Sequence, residues 1–396
     1  MNYLKLIGRN KELFDDDLSA KGKELDDVAR KSTFLVIGGA GSIGRAVVKE
    51  IFKRDPKLLH VVDLSENNLV ELVRDIRSTV GYMSGEFKTF AIDCGSLEFE
   101  LLIKNEVRYD YVLNLSALKH VRSEKDPYTL MRMIEVNIIN TLKTIKLAEQ
   151  YGVKKYFCVS TDKAANPVNM MGASKRIMET FILEKNIKIP ISTARFANVA
   201  FSDGSLLEGF INRFNQKQPL AAPDDVLRYF VTPKESGELC LMSCIFGKDK
   251  EIFFPKLNEE LHLVSFKDIA YNFIESKGYK VLECKTEDEA RMKCADIDIS
   301  KHWPCFFSKS STSGEKSFEE FYTDDEKIDL KSFTNIGVIQ HSSVQGTSVS
   351  YDEFKKRIDY HKQAGKWSKT DILKMFKEII PNFSHIETGS DLDQKM

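Results

Sequence analysis

Apolar residues in this chain fall into short β-rich runs separated by longer stretches with a helical period. Thr33–Ile37, Leu59–Asp63, Lys88–Ile92, Tyr111–Leu115 and Tyr156–Ser160 read as strands, and Ile191–Phe196 supplies another. Between them, Ile43–Arg54, Asn67–Val80, Leu97–Asn105, Thr129–Tyr151 and Gly172–Asn186 space their apolar side chains as one face of a helix requires. Strand and helix in regular alternation predict crossover units. The fold class that follows is α/β, a doubly wound parallel sheet with helices on both faces.

The flanks read differently. Residues 1–30 are charged with a loose helical period (Leu4, Ile7, Phe14, Leu18), which predicts a helical extension before the core. Residues 31–190 form the expected nucleotide-binding domain, with strand 191–196 returning to it. From 197 to 345 the pattern is less regular, and a smaller substrate-binding region is expected there. Amphipathic helices follow at Tyr351–Ala364 and Lys369–Ile379, within a segment spanning 346–383. The polar tail from Ser384 to Met396 is expected to be disordered.

Composition narrows the function classes. At 396 residues, 42% hydrophobic, the chain can bury one large core or two modest ones. A formal net charge of -1 argues against a nucleic-acid footprint or a basic membrane surface. No apolar run approaches the ~20 residues needed to span a bilayer, so no membrane partner is expected. Seven cysteines without a Cys-x-x-Cys pair point to reduced thiols and a cytoplasmic address. Cys294, His302 and Cys305 match no zinc spacing, and no metal is expected.

Candidate chemistry begins where the first strand runs into Gly38-Gly39-Ala40-Gly41-Ser42-Ile43-Gly44. The spacing of Gly38, Gly41 and Gly44 suits a tight turn, close backbone approach to a pyrophosphate, and close helix–strand packing. Ser42 and Ile43 open the helix whose free N–H groups would meet the phosphates. Asp63 ends the next strand, placed to accept hydrogen bonds from an adenosine ribose; a carboxylate there would repel a 2′-phosphate. The expected domain is therefore of Rossmann type and its cofactor NAD, with NADP less favoured; Arg45 is the residue that could accommodate NADP. Asp93, ending the third strand, is a candidate for the adenine edge or simply a helix N-cap.

In open parallel sheets ligands bind beyond the carboxyl ends of the strands, where Ser116, Thr161, Asp162 and Lys163 all fall. Lys175 lies four residues after Met171 on the next predicted helix. Many nicotinamide-dependent enzymes carry Tyr-x-x-x-Lys at this spacing, and here Met171 takes the tyrosine position. The acid–amine pair Asp162-Lys163 is left to move protons.

Three stretches, Ser116-Ala117-Leu118-Lys119-His120-Val121, Ser160 through Lys175, and Arg195-Phe196-Ala197-Asn198-Val199, resemble the extended short-chain dehydrogenase/reductases. Within these they are similar to the UDP-N-acetylglucosamine 4,6-dehydratases of bacterial polysaccharide and glycan biosynthesis. Leu227 through Thr232, Gly314-Glu315-Lys316 and Glu319-Glu320 resemble that family's later motifs, and the likeness covers roughly residues 30 to 335. Members that retain configuration at C5 tend to carry methionine where inverting members keep tyrosine, so Met171 resembles the retaining branch. The resemblance implies Lys163 as base, Asp162 as acid, Thr161 as partner of the sugar C4 oxygen and Lys175 on the nicotinamide ribose. It also implies Asn198 and Arg228 on the nucleotide diphosphate, Lys119 and His120 near the sugar, and Asn137 supporting the site. Self-association into a homo-oligomer is expected on the same ground.

Two positions depart from the pattern: Ala197 replaces a glycine, and Thr312-Ser313 replace the Arg-Pro before Gly-Glu-Lys. The nucleotide base contacted from that side is left open. Two other readings use the same residues. One is a nucleotide-sugar epimerase, which needs only reversible hydride transfer. The other is a non-catalytic NAD-binding regulatory protein that lost activity with the tyrosine.

Overall fold

In the computed structural model, which describes residues 1–106, 108–257, 262–310, 320–340 and 348–386, the expected alternation is realised. Strands β1 (Thr33–Ile37), β2 (Leu58–Asp63), β3 (Glu86–Ala91), β4 (Tyr111–Asn114), β5 (Lys155–Thr161) and β6 (Ile191–Phe196) lie parallel in the order β3-β2-β1-β4-β5-β6. The protein has a Rossmann-type α/β fold. The strand order reverses between β1 and β4, which opens the cleft where such sheets bind ligands.

Later strands are β7 (Asn198–Val199), β8 (Leu220–Pro223), β9 (Leu227–Val231), β10 (Glu251–Pro255), β11 (Leu263–Ser265), β12 (Lys280–Cys284), β13 (His302–Ser308), β14 (Ile328–Asp329) and β15 (Ile336–Ile339). Of these, β10 joins β6 in parallel, and β15 and β14 extend the sheet antiparallel beyond it. Residues 251–255 and 328–339, expected in the substrate-binding region, thus belong to the central sheet. The remaining strands form two small sheets, β11-β9-β7 and β12-β13-β8.

The central strands read as unbroken apolar runs because both of their faces are covered. Phe34 and Val36 of β1 point into one core layer and Leu35 and Ile37 into the other, as the two-residue pleat dictates. Helices α1 (Tyr3–Leu6), α2 (Asp15–Arg30), α3 (Ser42–Phe52), α4 (Glu66–Thr79), α5 (Leu97–Asn105), α6 (Pro127–Ile134), α7 (Asn140–Gln150), α8 (Met170–Glu184), α9 (Leu206–Asn215) and α10 (Pro233–Phe246) follow in chain order. Layer one holds α2, α3, α4 and α10; layer two holds α5 through α8 with the C-terminal helices Tyr351–Ala364 and Lys369–Ile379.

Thr129–Tyr151, expected as a single helix, starts earlier, at Pro127 behind the Asp126 cap. It is interrupted by a π-helical turn at Glu135–Ile139. A local period cannot reveal one extra residue in a turn, and such bulges frequently mark functional sites. The prefix is locked to the core, because Arg9 forms a two-pronged ion pair with Glu235 (2.8 and 2.6 Å). At the other end, the first residues of the expected tail lie against the core, with Ile386 N donating to Val168 O at 2.9 Å. Residues 387–396 lie outside the described residues.

Candidate active site

The glycine loop is shaped by its own crowding. Gly38 takes φ +72, and a Cβ there would stand 2.7 Å from Ser116 N; one on Gly44 would overlap the Gly38 carbonyl. Gly41 is different. Its φ of -75 suits any residue, and an added Cβ would meet only Gly38 O at 3.7 Å. What a side chain would fill is the cradle in front of α3, whose N-terminus has no side-chain cap. That open cradle fits a diphosphate.

Asp63 is half-buried at the end of β2, one oxygen accepting from Ala40 N and the other from Ser65 N, both at 2.9 Å. The carboxylate is held beside the loop with lone pairs to spare for ribose hydroxyls. Asp93 accepts from Gly95 N at 2.7 Å and pairs with Arg132 at 3.3 Å, while Ser96 caps α5. Arg45 reaches Ala40 O (2.8 Å) and Asp203 (3.1 Å). Ser42 Oγ accepts from Asp203 N at 2.7 Å, Ile43 packs against the core layer beneath, and Ser116 Oγ donates to Asn114 Oδ1 at 2.6 Å.

The chemical end is built by β5 running into α8. Asn169 caps α8 by accepting from Gly172 N at 2.8 Å, and Gly172 lacks the side chain that would strike the Lys163 carbonyl. The start of α8, with Met171 and Lys175, therefore lies on the Thr161–Lys163 backbone. Asp162 Oδ1 accepts from Thr161 Oγ1 (2.8 Å), from Lys163 N (2.9 Å) and from Lys163 Nζ (3.1 Å). Its Oδ2 is buried and has no hydrogen-bond partner among the described residues. A buried carboxylate oxygen left open costs free energy unless a ligand completes it.

Met171 is buried in the apolar layer, so it fills space and carries no proton. Lys175 is buried too, donating to Val159 O at 3.1 Å. Burial above all pulls its ammonium down to about 8, against the opposing pull of Cys158 and Glu179.

Of the residues expected on the substrate, Asn198 and Arg228 share the small sheet β11-β9-β7. There Asn198 faces Phe230 in register and donates to Tyr229 O at 3.3 Å. Arg228 is buried and donates to Leu227 O at 2.8 Å. Lys119 Nζ reaches Ser202 Oγ at 3.2 Å. The His120 ring lies over Gly204, and burial, then Lys119 and Arg122, hold its pKa below the ordinary value.

Asn137 lies deeper than the other residues expected on the substrate side. It has no exposed surface, and its amide accepts from Leu118 N (2.9 Å) and donates to Leu118 O and Ser174 Oγ (both 3.0 Å). Standing in the π turn, it holds the backbone of Leu118, which leads into Lys119 and His120. Gly314, Glu315, Lys316 and Glu319, with Thr312 and Ser313, lie outside the described residues.

A model of the polysaccharide biosynthesis protein family matches residues 34–341. The chain belongs to that family. An uncharacterized membrane protein of Methanocaldococcus jannaschii is 30% identical over 365 residues, covering 90% of this chain and 98% of its own length. Among the described residues, no helix is long and apolar enough to cross a membrane. The capsular polysaccharide biosynthesis protein CapD of Staphylococcus aureus is 31% identical over 280 residues, 69% of this chain, which spans 45% of CapD's length. Of the solved structures, that of Pen from Bacillus thuringiensis shares the fold at a TM-score of 0.63 and 22% identity, covering 84% of this chain and 98% of its own.

Other groups beneath this family member's site were not singled out from the sequence. Glu179, Arg195 and Glu326 form a largely buried ion network under Ser160. Arg195 has no exposed surface, and its guanidinium takes Glu179 at 3.0 and 2.7 Å and Glu326 at 2.7 Å through each terminal nitrogen. The available signal was an arginine inside a strand of apolar neighbours, which demands a buried acid. Which acid, no spacing could say. Farther off, His60, Glu86 and Glu106 bring ligand atoms within 4.8 Å of one another. Both ring nitrogens of His60 are already engaged, by Tyr109 and Glu86, each at 2.8 Å. All seven cysteines are free thiols.

Proposed function

We propose that this protein is an NAD-dependent nucleotide-sugar 4,6-dehydratase that acts on UDP-N-acetylglucosamine with retention at C5. The observation that carries the reading is the buried Asp162, one oxygen fixed by Lys163 and the other open. An epimerase needs no such acid–amine pair; a dehydration needs both. The chemistry NAD supplies when bound is removal of hydride from C4 of the sugar and its return at C6.

The residues provide the proton traffic. At 3.1 Å a proton can pass from Lys163 Nζ to Asp162 Oδ1, turning an ion pair into an amine and an acid with no change in net charge. Desolvation by a bound substrate favours that uncharged pair. Lys163 then takes the C5 proton, which the C4 ketone has made acidic. Asp162 protonates the C6 hydroxyl as it leaves as water. The C4 hydroxyl proton leaves to solvent at oxidation, Asp162 regains a proton from solvent after the water departs, and Lys163 returns a proton to C5. Thr161 hydrogen-bonds the C4 oxygen, and Lys175 holds the nicotinamide ribose. Asp63 favours NAD over NADP, and Gly38, Gly41, Ser42, Ile43 and Gly44 form the diphosphate cradle, with Ser116 beside it and Asp93 toward the adenine. Asn198 and Arg228 grip the substrate diphosphate, with Lys119 and His120 beside the sugar.

Incubation with UDP-N-acetylglucosamine in D₂O, followed at C5 by NMR, tests this. The expected product is a 4-keto-6-deoxy sugar with deuterium at C5 and unchanged configuration. An unchanged sugar, or a galacto product that survives Lys163→Ala, sinks the reading.

A further inference from the structure

Beneath the reacting residues lies a second structure, assembled from parts far apart in the chain. Ser160, the residue before Thr161, donates to Glu179 Oε1 at 2.5 Å. The same carboxylate is gripped by Arg195, whose remaining capacity goes to Glu326 and to Phe321 O at 2.8 Å. Arg176 adds a second cation on Glu326 at 2.8 Å. Two arginines thus face two glutamates, so the charges of the network sum to zero, and Glu326 is held down to about 2, its burial outweighed by Arg195 and Arg176. Glu326 also accepts from Thr323 N at 3.0 Å, which folds its own segment into a tight turn.

That segment has a second hold. Glu320 accepts from Asn166 at 2.8 Å, and Asn166 stands in the loop that carries Lys163 toward α8. Phe321 packs between Tyr229 of β9 (5.8 Å) and Phe254 of β10 (6.0 Å). Residues 320–326 therefore grip the catalytic loop at Asn166 and, through Arg195 and Glu179, its strand end at Ser160.

We infer that Glu320–Glu326 is a clasp that positions the Ser160–Lys163 strand end, with Glu326 as its main positioning residue. Its bearing on catalysis rests on the dehydratase reading; its bearing on local order does not. The test compares Glu326→Gln and Asn166→Ala with the intact protein by hydrogen exchange and by steady-state kinetics. Glu326→Gln keeps the shape and removes the charge. Exchange across residues 156–167 should quicken roughly tenfold while that of β1 stays unchanged. In the same variant kcat should fall about tenfold, KM should move less than about threefold, and Glu326→Asp should restore part of the loss. Asn166→Ala, at an exposed contact that does not threaten folding, should quicken exchange in the same residues by a smaller factor. Unchanged exchange at 156–167 in both variants, or a rise spread evenly over the sheet, would overturn the clasp. Local quickening in a protein that leaves UDP-N-acetylglucosamine untouched would instead uphold the clasp and remove the dehydratase reading.

Discussion

Both faces of the central sheet bury carboxylates, and they treat them in opposite ways. On the α8 face, the buried Glu179 and the largely covered Glu326 pair with Arg195 and Arg176, and Glu326 stays ionised down to about 2. On the other face, Glu238 of α10 is buried and has only the exposed Lys234 beside it at 3.4 Å, without a close hydrogen bond to either oxygen among the described residues, and desolvation, then the nearby Glu50, push it up to about 7. Glu50 itself is satisfied by Arg54 at 2.8 Å and Lys53 at 2.7 Å. Burial is similar on both sides, so burial does not decide the charge state. A partner in the right place does. The face where arginines meet both glutamates is also the one that carries the proposed reacting residues.

The strongest way to break this contrast is Arg195→Met. Two buried glutamates would lose their main cation, and stability should fall by about 3–5 kcal/mol in urea unfolding. A loss under about 1 kcal/mol would mean that the pairing does not hold those charges in place. On the other face the sign reverses. Glu238 binds its proton more tightly folded than unfolded between the ordinary 4.5 and about 7, so stability falls as pH rises through that window. Glu238→Gln should therefore stabilise by about 1–3 kcal/mol at pH 8 and by almost nothing below the window. An equal gain at both ends of it would rule out titration as the cause.

Lys175 is the exception on the paired face, a buried amine bonded only to a carbonyl in the described contacts and lowered to about 8. Folded, it releases its proton more readily than unfolded, so stability rises with pH between about 8 and the ordinary 10.5. Without dinucleotide, Lys175→Met should add about 1–2 kcal/mol at pH 7, the gain vanishing above that window, while turnover is lost. Thermal unfolding at both pH values, set beside the NMR assay, reads both effects. A variant that keeps its turnover would remove Lys175 from the proposed machinery.

Much of the glycine-loop half was legible because its signals are local. β1 running into Gly38–Gly44, with Asp63 closing β2, occupies one continuous stretch in which a strand, a turn and a helix each leave their own period. Thr161, Asp162 and Lys163 were legible for the same reason, as polar residues at the end of an apolar strand. Asn137 was found, but not the way in which it supports the site. Its helical neighbours look ordinary, and only the π turn aims its amide at Leu118.

The sequence by itself determined the α/β alternation, the glycine loop and the acid–amine pair, because spacing along a helix or strand is set by backbone geometry within a few residues. Only the tertiary structure decided that Asp162 keeps one oxygen open and that Arg195 meets both Glu179 and Glu326. It likewise decided that β10, β14 and β15 complete the sheet. Those outcomes depend on which surfaces of distant segments come together and exclude water, and a buried charge selects its partner by position in space, not by distance along the chain.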